Sequence, residues 1–153
     1  MTTVRPILEY ASISWSPSCL NLKKKLETVQ NNCAKFITNT YPKKGNYENF
    51  SITKILDSLG WNSLESRRDQ ARLIMAYKIL NKQVILEPEL LPKNHMRHPT
   101  RKTNNQENLL KESYSRLDST QKTFFYAVPK LWNKHITPTQ AKAPTVDAFK
   151  KIL

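Results

Sequence analysis

Residues 62–82, NSLESRRDQARLIMAYKILNK, decide the fold class. Leu64, Ala71, Ile74, Met75 and Ile79 recur at helical intervals, which lays one apolar side along a helix running to about Lys82 and turns it toward a core. Asn62 followed by Glu65 gives that helix a start of capping-box type, with Asn in the cap position. Arg68 and Arg72 stand one turn apart and share a helix face, with Arg67 close by in sequence. This cluster has two readings of equal standing: contact with phosphate, or ion pairing with neighbours such as Glu65 and Asp69.

Upstream the signals are also helical. Pro6 suits a first helical turn within residues 3–15, and Ser16, Pro17 and Ser18 break the chain, Ser18 being placed to cap the next helix. Between residues 20 and 39, Leu22, Leu26, Val29, Cys33, Phe36 and Ile37 draw one stripe along a helix. Lys23, Lys24 and Lys25 cannot all join that stripe and are expected to face water. Residues 41–50 read as a loop tied down by its aromatics, and Ser51 starts a short helix with a face of Ile52, Ile55, Leu56 and Leu59. Gly60 supplies its left-handed ending.

Downstream, Pro88 and Pro92 end the helical half, and the apolar content almost vanishes from residue 93 to residue 108. Lys93, Arg97, Arg101 and Lys102, with His95 and His98, make this a basic linker that gains order against a partner. Residues 109–116 fit helix or strand equally. Pro129 predicts a turn or extended piece over residues 123–128 and a helix from Pro129 onward, and Thr145 caps a last helix holding Val146, Phe149, Ile152 and Leu153. The expected architecture is mainly α: a helical bundle over residues 1–92, a basic linker over 93–108, and a smaller helical or irregular segment over 109–153.

Composition agrees with helix and narrows the partners. The chain of 153 residues holds only two glycines, whereas sheet-rich folds need glycine at tight turns and bulges. Its 25 basic and 12 acidic residues give a formal charge of +13, so a polyanion, nucleic acid first, is the expected partner. No apolar run approaches the ~20 residues that span a bilayer, and no signal-peptide pattern opens the chain, which predicts an intracellular protein of nucleus or cytoplasm with no membrane partner. Cys19 and Cys33 read as reduced structural thiols. Asp57, Asp69, Asp118 and Asp147 are scattered, so no paired-carboxylate metal centre for nucleotidyl transfer is expected, nor any cofactor. The His95-x-x-His98 spacing lacks nearby cysteines and reads as a solvated pair, and two glycines cannot build a phosphate loop. Trp15, Trp61 and Trp132 sit in apolar settings and read as core.

Three strings occur in a fixed order: RPILEYASISWSP at 5–17, LGWNSLESRR at 59–68 and TFFYAVPKLWN at 123–133. With the linking signals LETVQNNCAKFIT at 26–38, SITKILDSLGW at 51–61 and AFKKIL at 148–153, the chain resembles the region after the palm in reverse transcriptases of non-LTR retrotransposons, the jockey-like and chicken-repeat-like elements. The resemblance covers nearly the whole chain and rests on order and spacing. Two local departures stand out: Lys134, His135 and Ile136 replace the Leu-Pro that comes after Trp-Asn, and Thr123 to Tyr126 replace Ser-Phe-Phe-Pro. The family's Tyr-x-Asp-Asp turn has no counterpart here.

The resemblance implies the helical thumb and C-terminal segment of an RNA-directed DNA polymerase, truncated after its catalytic palm and inactive as a polymerase by itself. It implies a low-specificity grip on RNA, DNA or their hybrid, for which the basic residues on offer are Lys23, Lys24, Lys25, Arg67, Arg68, Arg72, Lys93, Arg97, Arg101 and Lys102. Two other readings stand beside it: a basic helical module that meets an acidic protein, and a non-functional relic of a decayed element.

Overall fold

The computed structural model describes residues 4–17, 19–41, 51–93 and 109–153. The fold is mainly α. The helices are α1 (Val4–Glu9), α2 (Leu20–Thr38), α3 (Ile52–Ser58), α4 (Leu64–Leu80), α5 (Asp118–Gln121), α6 (Phe124–His135), α7 (Pro138–Ala141) and α8 (Val146–Ile152), with a 3₁₀ turn at Pro88–Leu90. Among the described residues the β structure consists of an isolated antiparallel bridge between Lys93 and Leu110.

Three helices stop by one device. At the ends of α2, α3 and α4 the chain turns left-handed at Asn39 (φ 48°), Gly60 (φ 64°) and Lys82 (φ 54°). In each case the next N–H reaches back to a carbonyl of the last turn: Thr40 to Lys35 at 3.0 Å, Trp61 to Leu56 at 2.9 Å and Gln83 to Lys78 at 2.8 Å. Asn and Gly take this conformation cheaply, whereas Lys82 carries the clash of its Cβ with the following carbonyl.

Contacts group the chain into two compact units, residues 1–12 with 17–68, and residues 13–16 with 69–153. The division between these units falls within α4, between Arg68 and Asp69. The physical reason is the second half of α4. Leu73, Ala76, Tyr77 and Ile79 share one buried cluster with Leu91, Leu110, Phe124, Val128, Trp132, Ile136 and Phe149, so residues 109–153 complete a core that α4 begins. Phe149 stands at its centre, stacked on Tyr77 at 4.4 Å between ring centroids and on Trp132 at 5.9 Å. The Tyr77 hydroxyl donates to the Ala143 carbonyl, which satisfies its polar end inside the cluster.

Another long-range tie in this unit is an amide clamp. Asn133 accepts from the Leu110 N–H at 2.9 Å and donates to the Leu110 carbonyl at 3.0 Å, so its side chain pairs the backbone as a neighbouring strand would. Residues 109–116 are therefore neither helix nor strand: their backbone is held by Asn133 and by the Lys111 N–H donating to Pro92. In the first unit, α3 packs on α2 with Ile52, Ile55, Leu56 and Leu59 half-buried.

Several expectations need correction. α6 is continuous through Pro129 instead of beginning there. Proline lacks the N–H that would bond the Phe125 carbonyl, yet Phe124, Val128, Pro129 and Trp132 are all buried, and that packing offsets the missing bond. The start of α4 is capped by Ser63, whose hydroxyl accepts from the Ser66 N–H at 3.1 Å, while Asn62 lies one residue outside. The core side of α4 is wider than the one expected: Leu64 and Ile79 are buried and Ile74 and Met75 pack against the core, as expected, but Leu73, Ala76 and Tyr77 are buried too, and Ala71 is partly so. α7 opens with a capping box in which Thr137 and Gln140 exchange bonds, a start signal legible in the order Thr-Pro-Thr-Gln. Thr145 caps α8 as expected, accepting from the Ala148 N–H at 3.1 Å. The proposed cap Ser18 and the loop 42–50 lie outside the described residues.

Replacing Lys82 with Gly relieves the left-handed strain and is expected to raise unfolding stability by about 0.5–1 kcal/mol, measured by urea titration. Phe149→Ala removes the centre of the aromatic stack and is expected to cost about 3–5 kcal/mol in the same titration.

Candidate nucleic-acid interface

The basic residues divide into those that the fold occupies and those that it leaves to solvent. Arg67 belongs to the first class. Its Nη2 donates to Glu9 Oε2 at 2.8 Å and its Nε to Glu9 Oε1, a two-pronged ion pair that ties α1 to the first turn of α4. The pair joins the first of the three sequence strings to the second.

Arg68 and Arg72 are buried, 2% and 6% exposed. Arg72 Nε donates to the Ile13 carbonyl at 3.3 Å. The Nε, Nη1 and Nη2 of Arg68 are all enclosed and have no hydrogen-bond partner among the described residues. A phosphate cannot reach either guanidinium without opening the fold. Both arginines lie on the buried side of α4, at positions that the sequence pattern left out of its apolar side.

α2 places Lys23, Lys24 and Lys25 in its first two turns. Lys23 is half-buried and its Nζ meets the Glu65 carboxylate, while the Glu65 N–H donates to Glu27 Oε1 at 3.1 Å and Gln30 Nε2 to the Asn62 carbonyl at 3.0 Å. Lys23 thus belongs to a clasp between α2 and the start of α4. Lys24 and Lys25 are exposed.

In the other unit, Lys93 is exposed and, with Lys82 and Glu89, rims an open groove of about 360 Å³ whose other walls are Leu80, Pro88, Leu91 and Pro92. α6 adds Lys130 and Lys134, exposed and one turn apart, which sequence reasoning passed over although their four-residue spacing was visible. Arg97, Arg101, Lys102, His95 and His98 lie outside the described residues.

Of the tryptophans, Trp132 is core, Trp61 is half-buried and Trp15 is exposed. Cys19 is exposed and Cys33 half-buried, and both are free thiols. Among the described residues no three His, Cys, Asp or Glu side chains are grouped to hold a metal ion, and no helix is long and apolar enough to cross a membrane.

A buried guanidinium without acceptors costs more than an apolar side chain of similar length in the same space. Arg68→Met is therefore expected to raise stability by about 1–3 kcal/mol in urea unfolding. A loss of stability would show that Arg68 has a partner. Compared with protein-family models, curated proteins and solved structures, the chain finds no match.

Proposed function

We propose that this chain corresponds to the thumb and following C-terminal segment of a non-LTR retrotransposon reverse transcriptase, and that it grips the backbone of RNA, DNA or their hybrid without reading sequence. It carries out no polymerisation by itself and works in the nucleus or cytoplasm. The observation that carries this reading is the order and spacing of the three strings across nearly the whole chain. The charge of +13 supports it, because lysines that neutralise phosphates release condensed counterions and need no fixed catalytic geometry.

The contacts are assigned to the exposed lysines Lys24, Lys25, Lys93, Lys130 and Lys134. Arg67, Arg68 and Arg72 act within the fold, and Lys23 is shared with Glu65. The second reading, a protein-interaction module, draws support from an exposed apolar arc on α2 that nucleic-acid backbone does not require.

Equilibrium binding to an RNA–DNA hybrid at several salt concentrations tests the proposal. Affinity is expected to fall linearly on a log-log salt plot, and the double variant Lys24→Glu, Lys25→Glu to weaken binding and flatten the slope by about two. Absence of binding at low salt would refute the grip, and an unchanged slope would remove these two lysines from it.

A further inference from the structure

α2 packs with its polar side. Gln30 and Ala34 are its buried residues, with Lys23, Glu27, Asn31 and Thr38 half-buried on the same side. Its apolar residues lie on the neighbouring arc and stay open: Leu22 is 51% exposed, Val29 42%, Phe36 76% and Ile37 49%, with Leu26 and Cys33 half-buried along the border. A surface helix ordinarily turns its apolar stripe to the core, so an open stripe of this length marks a contact surface.

Spacing says what shape of partner fits. From Leu22 through Leu26, Val29 and Cys33 to Phe36 the intervals are four, three, four and three, the alternation that keeps a seam facing a second helix. Charge says which helix. The arc is bordered on its open side by exposed Lys25 and Asn32, whereas on the packed side Lys23 is already paired with Glu65, Gln30 is buried, and the acid of α2, Glu27, accepts from the Glu65 N–H. A second copy of the chain would bring another +13 against this face. We infer that the α2 arc is the docking site for an amphipathic helix of another protein, one that carries apolar residues in the same alternation and carboxylates along the flank that meets Lys25.

The test uses the full chain and a fluorescent three-heptad peptide with Leu at the seam positions and Glu beside them, against a scrambled peptide of the same composition. The seam peptide is expected to bind about tenfold or more tightly than the scrambled one. Val29→Ser with Phe36→Ser, which adds no charge beside Lys24 and Lys25, is expected to abolish that difference and to leave hybrid-duplex binding unchanged. In the unaltered chain, the seam peptide should slow alkylation of Cys33, read residue by residue by mass spectrometry, and this measurement stands even where the double variant fails to fold. Equal binding of the two peptides, discrimination that survives in a folded double variant, or undiminished Cys33 alkylation would each overturn the inference. A dimer in sedimentation that the double variant dissociates would overturn it too, by making a second copy the occupant.

Discussion

Phe149 is the residue on which the C-terminal unit depends. α4 is separated from α6 and α8 by a long stretch of chain, and a basic helical segment has little electrostatic reason to condense. What draws them together is one stack of rings, Tyr77 on Phe149 on Trp132, with Leu73, Ala76, Val128 and Ile136 packed around it. The stack also accounts for the rest of that unit. Trp132 in the core fixes the rotation of α6, which carries Asn133 to the backbone of Leu110, and that clamp in turn seats residues 109–112 beside Pro92 and Lys93. A Trp followed by Asn is thus an economical pair: one ring for the core, one amide for a segment that has no sheet to join.

In the other unit the organising contact is electrostatic. Glu9 and Arg67 form a half-buried two-pronged pair that ties α1 to α4, and the Lys23, Glu65, Glu27 and Gln30 clasp joins α2 to the start of α4 with weaker, more exposed groups. Charge that a reading of composition assigns to a partner is here engaged within the fold. The surface that remains is a set of lysines on α2, after α4 and on α6, and beside those on α2 lies an apolar arc. The combination describes a chain with aromatic and arginine contacts inside and, among the described residues, lysines and an apolar arc outside.

The helices were largely legible because they are written in spacing and in end signals: Gly60 and Thr145 perform the roles their positions announce. Which side of each helix is buried was not. For α4 the periodic pattern steered clear of Arg68 and Arg72, yet both lie inside, since the aliphatic stem of an arginine packs as well as a methionine and a helical wheel does not record what stands opposite. For α2 the apolar arc and the packed side are neighbours, and only the positions of α3 and Glu65 decide between them. Pro129 misled for a related reason: its local cost was counted and its burial could not be. Asn133 and Glu9 were hidden more deeply, because each acts on a residue far away in sequence and neither has a local motif.

The central claim is that exposed lysines, and not the arginines of α4, hold the nucleic-acid backbone. Lysine acetylation of the native chain with and without an RNA–DNA hybrid, read at each site by mass spectrometry, tests it most directly. The account predicts that the duplex slows modification at Lys24 and Lys25 and leaves Lys122 and Lys150, paired with Asp118 and Asp147, unchanged. Duplex binding that leaves Lys24 and Lys25 as reactive as before would contradict it.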